Sequence, residues 1–211
     1  MKRLLPAGQA SEDQAAEDAE LVDRFRAGDM RAFDMLLQRY ENRVFNFTLR
    51  MLGDYQNSRE VTQDIFLRAF RYLGNYRGDG KFSTWLFTIA SSTCKNALAY
   101  YRIREKYKQH TAQDPEQTTE FDPVAVLPDI TNAPERKLEQ NAMSELLTQA
   151  IKDLPETYRK VIVLKDVNDF SYEEIAEIAG VPIGTVKSRI ARARLLLREK
   201  LTQLGCLEPG R

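Results

Sequence analysis

The chain of 211 residues carries 31 basic and 31 acidic residues, so its formal net charge is zero, and 43% of its residues are hydrophobic. This is an ordinary soluble globular composition, with room for one large or two small domains. The apolar runs fall short of the ~20 residues needed to cross a bilayer, and no apolar signal-peptide core follows the N-terminus. Two cysteines and one histidine are too few for a disulfide framework or a metal site. We therefore expect a cytoplasmic protein with no stable membrane insertion, no metal and no cofactor.

The first 108 residues predict a helical domain behind a flexible arm. Residues 1–19 show no hydrophobic periodicity, so we expect them to form a loose arm. Apolar residues then recur at helical spacing, which predicts a helix from residue 20 to a stop at 27–29 and further helices over 31–52, 58–73 and 82–107. Gly53 is the expected C-cap of the second helix. Small and hydroxyl residues cluster at 90–93, where we expect the last helix to kink or break.

Residues 109–134 are expected to be a linker. They combine four prolines with acidic residues, and each proline disfavours helix in the residue before it. So long a loop is unusual inside one compact domain, which favours an interdomain tether. A helix to residue 154 follows and opens a second domain, residues 135–204. The β-branched segment 161–164 suits a helix better than a strand, so the sequence predicts an all-α chain of two helical domains.

Residues 171–201 contain two predicted helices separated by a sharp break. Ser171 and Glu174 form a capping box, in which the serine oxygen accepts the N–H three residues on and the glutamate reaches back. Gly180 can adopt the left-handed conformation that ends this helix, and Pro182 cannot continue it. The second helix runs to about residue 201 and carries a basic, hydroxyl-bearing face. This order is typical of a helix-turn-helix, whose second helix lies in the major groove of DNA.

A basic helix face can also be a merely solvated surface. Here the cap, the turn glycine, the proline and the basic face occur together at helix-turn-helix spacing, which favours nucleic-acid recognition. Basic clusters at 102–108 and 187–200 flank an acidic segment at 114–129. This charge pattern suggests two contact sites on a polyanion, with the acidic connector kept away from it.

Motifs around the helix-turn-helix carry a family resemblance. They are Leu154-Pro155, Ser171-Tyr172-Glu173-Glu174-Ile175-Ala176, Gly184-Thr185-Val186-Lys187-Ser188-Arg189 and Arg192-Ala193-Arg194. The set resembles the promoter −35-reading domain of extracytoplasmic-function sigma factors; response-regulator output domains share a looser version. The resemblance implies that −35 duplex DNA is bound by Thr185, Lys187, Ser188, Arg189, Arg192 and Arg194.

A second motif set precedes the first in the chain. It consists of Ala32-Phe33, Tyr40, Val61-Thr62-Gln63-Asp64-Ile65-Phe66, Tyr76-Arg77-Gly78, Phe82, Thr84-Trp85-Leu86, Ile89-Ala90 and Lys95-Asn96. It resembles the −10-reading and core-binding domain of the same family. The implied residues for binding core RNA polymerase are Val61, Thr62, Gln63, Asp64, Phe66 and Leu67. Those implied for the −10 strand are Ser91, Ser92, Lys95, Asn96, Tyr100 and Arg102, where interleaved basic and aromatic residues suit single-stranded DNA.

Some positions leave alternatives open. On spacing alone, the outward side of residues 62–68 would be an ordinary solvated face, and only the resemblance favours polymerase docking. Arg59 stands where the family often has an acidic residue. Ser92 stands where many members have asparagine, and its shorter reach leaves the −10 base preference undetermined. Trp85 is most simply a core residue, with base stacking as the alternative.

No catalytic constellation is present in the sequence, which lacks a Gly-rich phosphate loop, a Ser/His/Asp set and paired carboxylates in an apolar setting. We do not expect an enzyme. The resemblance implies an alternative sigma factor that binds core polymerase and directs promoter recognition, −10 melting and transcription initiation. It also implies an envelope or stress response under the control of an anti-sigma factor.

Two other classes of protein remain possible from the residues. One is a duplex-binding regulator with a sensory N-terminal domain, although no receiver or ligand pocket is recognisable. The other is a helical adaptor that binds another protein through residues 58–70, which would leave the basic helix unused. The acidic linker fits either a mimic of nucleic acid near the polymerase active-centre cleft or a solvated chain.

Overall fold

A computed structural model describes residues 7–111 and 146–204. Every regular element within these ranges is a helix, which confirms the all-α prediction. None of the described helices is long and apolar enough to span a membrane. The predicted linker beyond residue 111 and the first part of the predicted helix over 135–154 lie outside the described residues.

The first domain consists of four long helices. These are α1 (Ala7–Arg26), α2 (Met30–Leu52), α3 (Tyr55–Tyr72), which continues into a 3-10 turn (Leu73–Asn75), and α4 (Phe82–Thr111). Asp29 caps the start of α2, and Gly53 ends it with a φ of 70°, as predicted. Around α2, rings pack edge to face, for example Phe47 on Phe87 with centroids 5.5 Å apart.

The predicted loose arm was wrong for residues 7–19. Helix α1 begins at Ala7, not at residue 20, and a polar contact holds it to α2. The carboxylate of Asp18 is 2% exposed, accepts the hydroxyl of Tyr40 and pairs with Arg39 at 2.5 Å. Burial raises the pKa of Tyr40, and the adjacent Asp18 raises it further. A buried carboxylate, not a periodic apolar face, holds this half of α1 in place. The spacing of apolar residues therefore could not predict the helix.

The predicted kink at 90–93 was also wrong, because α4 is continuous through these residues. The hydroxyls of Ser92 and Thr93 donate to the carbonyl of Ile89 at 2.9 and 2.8 Å. Hydroxyls bonded to the preceding turn are satisfied within the helix and do not need to break it. Helix α4 is thus unbroken from Phe82 to Thr111. Its last residues overlap the start of the predicted linker.

The second domain forms the predicted helix-turn-helix on two supporting helices. These are α5 over residues 146–152 and α6 (Glu156–Ile162), which continues into a π-helical turn (Val163–Val167); α7 (Tyr172–Ala179) and α8 (Ile183–Gln203) follow. Segment 161–164 is thus helical, as predicted. The capping box of Ser171 and Glu174 is present, and Gly180 ends α7 with a φ of 64°.

The inner side of α8 buries the apolar positions that its sequence spacing predicted. Val186, Ile190 and Ala193 are buried, and Leu197 is packed partly against the same core. Helix α8 packs on both α6 and α7. Burying one stripe of α8 leaves its basic side facing outward, as a helix that enters a DNA groove requires.

Candidate nucleic-acid and polymerase interfaces

The outer side of α8 carries the residues expected to read −35 DNA. Lys187, Ser188 and Arg192 are exposed, whereas Thr185 and Arg189 are partly buried. No side chain caps the start of α8, which follows Pro182 directly. An uncapped helix start leaves backbone N–H groups and the positive end of the helix dipole available to a phosphate.

The cations on α8 differ in what they contact. Arg194 donates two hydrogen bonds to Asp166, at 2.6 and 3.1 Å, and is thereby held against its own domain. The Lys187 ammonium lies 6.0 Å from the ring centroid of Tyr172. Arg192 forms no ion pair within residues 146–204. The guanidinium of Arg192 is thus more accessible to a partner than that of Arg194, which Asp166 holds against the second domain.

Five of the six residues expected at the −10 strand are exposed on α4. They are Ser92, Lys95, Asn96, Tyr100 and Arg102, and the Tyr100 side chain is 61% exposed. Ser91 does not share this surface, because it is 2% exposed. A spacing argument could not place Ser91, since its burial depends on what packs against α4.

Sequence reasoning missed two exposed side chains on the same helix. Ile103 and Tyr107 are 56% and 70% exposed. Together with Tyr100 they recur at positions i, i+3 and i+7, so they form one strip along α4. An apolar and aromatic strip among basic residues suits unstacked bases, and the spacing alone could have indicated it.

Helix α3 separates the polymerase-binding residues into buried and exposed groups. Val61, Thr62 and Phe66 are buried, although Thr62 and Phe66 still line the groove described below, so their expected role as contact residues stays a prediction. Spacing placed Thr62 outward, but its side-chain oxygen is buried without a hydrogen-bond partner within the described residues. Gln63 and Leu67 are exposed, and Leu67 is 57% exposed.

The exposed side of α3 borders a largely apolar groove. The groove has a volume of about 520 Å³ and runs between α2 and α3. Its lining includes Phe33, Leu37, Leu67 and Phe70, and Asp64 pairs with Arg68 at 2.9 Å on the adjacent helix surface. Sequence reasoning missed the contribution of α2, because two helices form the groove only after they pack.

Comparison with known proteins identifies the family. The description "Sigma-70 region 2" matches residues 36–103, and "Sigma-70, region 4" matches residues 144–197. The RNA polymerase sigma-H factor of Pseudomonas aeruginosa is 38% identical over 188 residues, which cover 89% of this chain and 95% of that protein. The chain belongs to the extracytoplasmic-function sigma factors of the sigma-70 family. The ECF RNA polymerase sigma-E factor of Escherichia coli K12 is 36% identical over 189 residues, with coverage of 89% and 95%.

Membership of the family establishes the general activity. Sigma factors are transcription initiation factors rather than enzymes, and this sigma factor directs RNA polymerase to promoters. The first family segment covers most of α2, α3 and much of α4, and the second covers the helices from α5 into α8, in the same order along the chain.

Two solved structures share the fold. CnrH in complex with the cytosolic domain of CnrY has a TM-score of 0.63 and 23% identity, covering 89% of this chain and 98% of that chain. The sigma factor RpoE in complex with the anti-sigma factor NepR, from Bartonella quintana, has a TM-score of 0.57 and 23% identity, covering 82% and 98%. At this identity the likeness concerns the fold alone.

Proposed function

We propose that this sigma factor divides its work among three surfaces. The exposed side of α3, with Gln63 and Leu67, docks on core polymerase. The exposed side of α4, with Lys95 and Tyr100, holds the separated −10 strand. The outer side of α8, led by Arg192, reads the −35 duplex. The first domain thus acts on melted DNA and the second on double-stranded DNA.

One observation carries this division: the chain presents two different basic surfaces. The surface of α8 has cations and hydroxyls without exposed aromatic rings, and it suits the edges of paired bases in a major groove. The surface of α4 interleaves cations with exposed Tyr100 and Tyr107, and it suits stacking on unpaired bases. Paired and unpaired DNA demand these two kinds of surface.

The groove beside α3 supports the polymerase assignment. Exposed apolar patches rimmed by polar residues are typical of protein–protein interaction sites. Leu67 and Phe70 form the apolar rim, and Gln63 and Asp64 supply polar groups beside it. A helical partner laid along α3 would bury the rim and meet those polar groups.

We also infer that an anti-sigma factor controls this protein. The related sigma factor RpoE was solved with the anti-sigma factor NepR, and CnrH with a cytosolic domain of CnrY. A partner that covers the α3 groove or the α4 surface would prevent initiation. We place this activity in the cytoplasm, where polymerase and chromosome meet.

Run-off transcription tests the proposal as a whole. Sigma-free bacterial core polymerase is given a linear family-type promoter, with and without the full chain, and co-elution with core is measured in parallel. Initiation at a defined start only when the chain is added supports the proposal. Absence of both initiation and co-elution would overturn polymerase docking, and tight duplex binding without polymerase would favour a conventional regulator.

A further inference from the structure

A cavity lies where the two domains of this sigma factor meet. Its volume is about 480 Å³, and it is lined by α1, α2 and the start of α4 on one side and by residues between 165 and 174 on the other. Pockets of this size commonly hold small molecules, and they occur preferentially at domain interfaces. None of the residues expected to bind DNA or core polymerase lines it. The chemistry of its walls therefore needs an explanation of its own.

Arg43 is the cation of this cavity that lacks a carboxylate partner. Within the described residues it forms no ion pair, and its guanidinium makes one hydrogen bond, to the backbone carbonyl of Asn168 at 2.9 Å. A guanidinium has five N–H donors in a fixed planar arrangement. Most of these donors, and the whole positive charge, are thus left for a ligand.

Three aromatic rings hold the Arg43 guanidinium in place. Its central carbon lies 5.6 Å from the ring centroids of Tyr40 and Phe87 and 5.5 Å from that of Phe170. Phe170 belongs to the second domain and lies on Phe87 with ring centroids 4.8 Å apart. Rings this close replace water beside the guanidinium, and an arginine held in one orientation loses less freedom when it binds an anion.

A tight turn of the second domain completes the surroundings of Arg43. Asp169 has a φ of 58°, and among the described residues it is the one non-glycine residue with a positive φ. The amide of Phe170 donates to the carbonyl of Leu164 at 3.1 Å, which fixes the turn. The turn places the Asn168 carbonyl and the Phe170 ring on the guanidinium. Strained backbone of this kind clusters at ligand sites, and the surrounding contacts must offset its cost.

Two lysines bring further positive charge to the same cavity. Lys81 pairs with Glu174 at 2.9 Å. Lys165 donates to the carbonyl of Phe170 at 3.1 Å, and its pair with Asp169 is long, at 3.7 Å. The Asp169 side chain is 95% exposed, so water screens this pair and it holds Lys165 only weakly. Lys165 is therefore free to pair with a ligand.

The other carboxylates that line the cavity are already engaged. Asp18 pairs at 2.5 Å with Arg39, which lies outside the cavity lining. Glu174 holds Lys81 and also belongs to the capping box of α7. The charge left without a partner is that of Arg43, so the cavity favours an anion.

We propose that this cavity binds a small phosphorylated molecule, with its phosphate between Arg43 and Lys165 and the rest of the molecule in the remaining volume. A phosphate offers several acceptor oxygens and fits the planar fork of a guanidinium. The first turn of α4 reaches the cavity through Ser83, and the start of a helix carries the positive end of its dipole.

This site requires neither polymerase nor promoter DNA. A bound phosphate would contact α2 in the first domain and Lys165 in the second. A ligand that binds only the folded chain stabilises it in proportion to its occupancy. The concentration of the phosphorylated molecule is thereby coupled to the stability and the arrangement of the two domains.

Nuclear magnetic resonance of the full chain tests the proposal. The Nε–Hε signal of Arg43, assigned by its loss in Arg43→Met, is followed while inorganic phosphate or ribose 5-phosphate is added at constant ionic strength. Ribose is the neutral control. We expect a saturable shift of this signal with both phosphates and none with ribose. Ribose 5-phosphate should bind at least about threefold more tightly, because its additional atoms contact the cavity.

Two variants and a matched control locate the binding. Lys165→Met removes a cation of the cavity without altering Arg43, and it should weaken binding of ribose 5-phosphate about tenfold, the scale of a hydrogen bond to a charged group. Arg68→Met is the control, because Arg68 pairs with Asp64 on the exposed side of α3, outside the cavity. Ribose 5-phosphate should raise the melting temperature of the unmodified and Arg68→Met chains but not that of Arg43→Met.

Three results would overturn the proposal. The first is an Arg43 signal that moves with neither phosphate. The second is equal binding after Lys165→Met, or shifts confined to the cations of α8, because either would place the phosphate outside this cavity. The third is equal affinity for the two phosphates, which would reject a ligand larger than inorganic phosphate.

Discussion

Arg159 of the second domain donates a hydrogen bond to Met51 at the C-terminal end of α2 in the first domain. Its guanidinium donates to the carbonyl of Met51, in the last turn of α2, and also to the carbonyls of Lys152, the last residue of α5, and Leu154, just after it. The last carbonyls of a helix have no partner within it and carry its negative dipole end, so a cation is favourable there. Arg159 is buried and neutralises two helix ends at once.

Replacing Arg159 by methionine should destabilise the protein more than an exposed arginine does. Buried carbonyls that lose their donor cost about 1–3 kcal/mol, and we expect that loss in the free energy of unfolding by urea. Arg68→Met is the control, because Arg68 makes only an exposed pair with Asp64, worth about 0.5 kcal/mol or less. Equal losses from both variants would contradict the proposed role of Arg159.

The free energy of unfolding should depend on pH through the ionisation of Glu174 in the helix-turn-helix. Burial alone would raise the pKa of Glu174, but the Ser171 amide and the Lys81 ammonium outweigh it and lower the pKa below 4.5. A carboxyl with a lowered folded pKa adds stability above its unfolded pKa, and that stability is lost as the pH falls through the folded value.

Glu174→Gln should therefore cost about 1 kcal/mol at pH 7, the scale of a lost helix cap, and the difference from the unmodified chain should shrink below pH 4.5. Urea unfolding at several pH values measures it. Glu173→Gln, at an exposed position in the same turn, is the matched control and should show little change. A difference that stays constant from pH 7 to pH 3 would refute the assignment.

Leu67→Asp should weaken binding to core polymerase without affecting folding. The side chain is exposed on the rim of the apolar groove, and a charge there would have to be desolvated on docking. An apolar contact buried at such an interface is worth about 2 kcal/mol, or about thirtyfold in affinity. Anisotropy of labelled protein titrated with core measures the loss. Leu195→Asp, at an exposed leucine on α8, should bind core normally; a similar loss there would argue against the groove.

Arg192 and Lys187 should affect promoter binding in different ways. Arg192→Ala should relax sequence preference at the −35 element, with a loss of about 1–3 kcal/mol of discrimination. Lys187→Ala should weaken binding about equally on all sequences, because a phosphate contact carries no sequence information. Holoenzyme binding to a set of −35 variants measures both. Uniform loss from Arg192→Ala would reject its role in base reading.

The helix-turn-helix could be predicted from sequence because local chemistry determines it. A capping box and a left-handed glycine each depend on residues within one turn, so Ser171, Glu174 and Gly180 behave as expected. Helix α1 could not be predicted in this way, because its anchor is the contact of Asp18 with Tyr40, 22 positions away.

The candidate sites were predictable only in part, for a similar reason. Spacing separates one side of a helix from another, but it does not say which side a neighbouring domain will cover. Ser91 on α4 and Val61 and Phe66 on α3 are all buried by the elements that pack against these helices. The position of Phe170 against Phe87 carries no signal in either local sequence, because it exists only when the two domains meet.

Permanganate reactivity of promoter thymines tests the central claim most directly, because unpaired thymines react and stacked, paired ones do not. Linear promoter DNA is probed with core polymerase alone, the sigma factor alone and the two together. The account predicts reactive thymines from the −10 element to the start site only when both proteins are present. Reactivity with core alone, or a bound complex whose −10 thymines stay protected, would contradict the claim that this chain directs promoter opening.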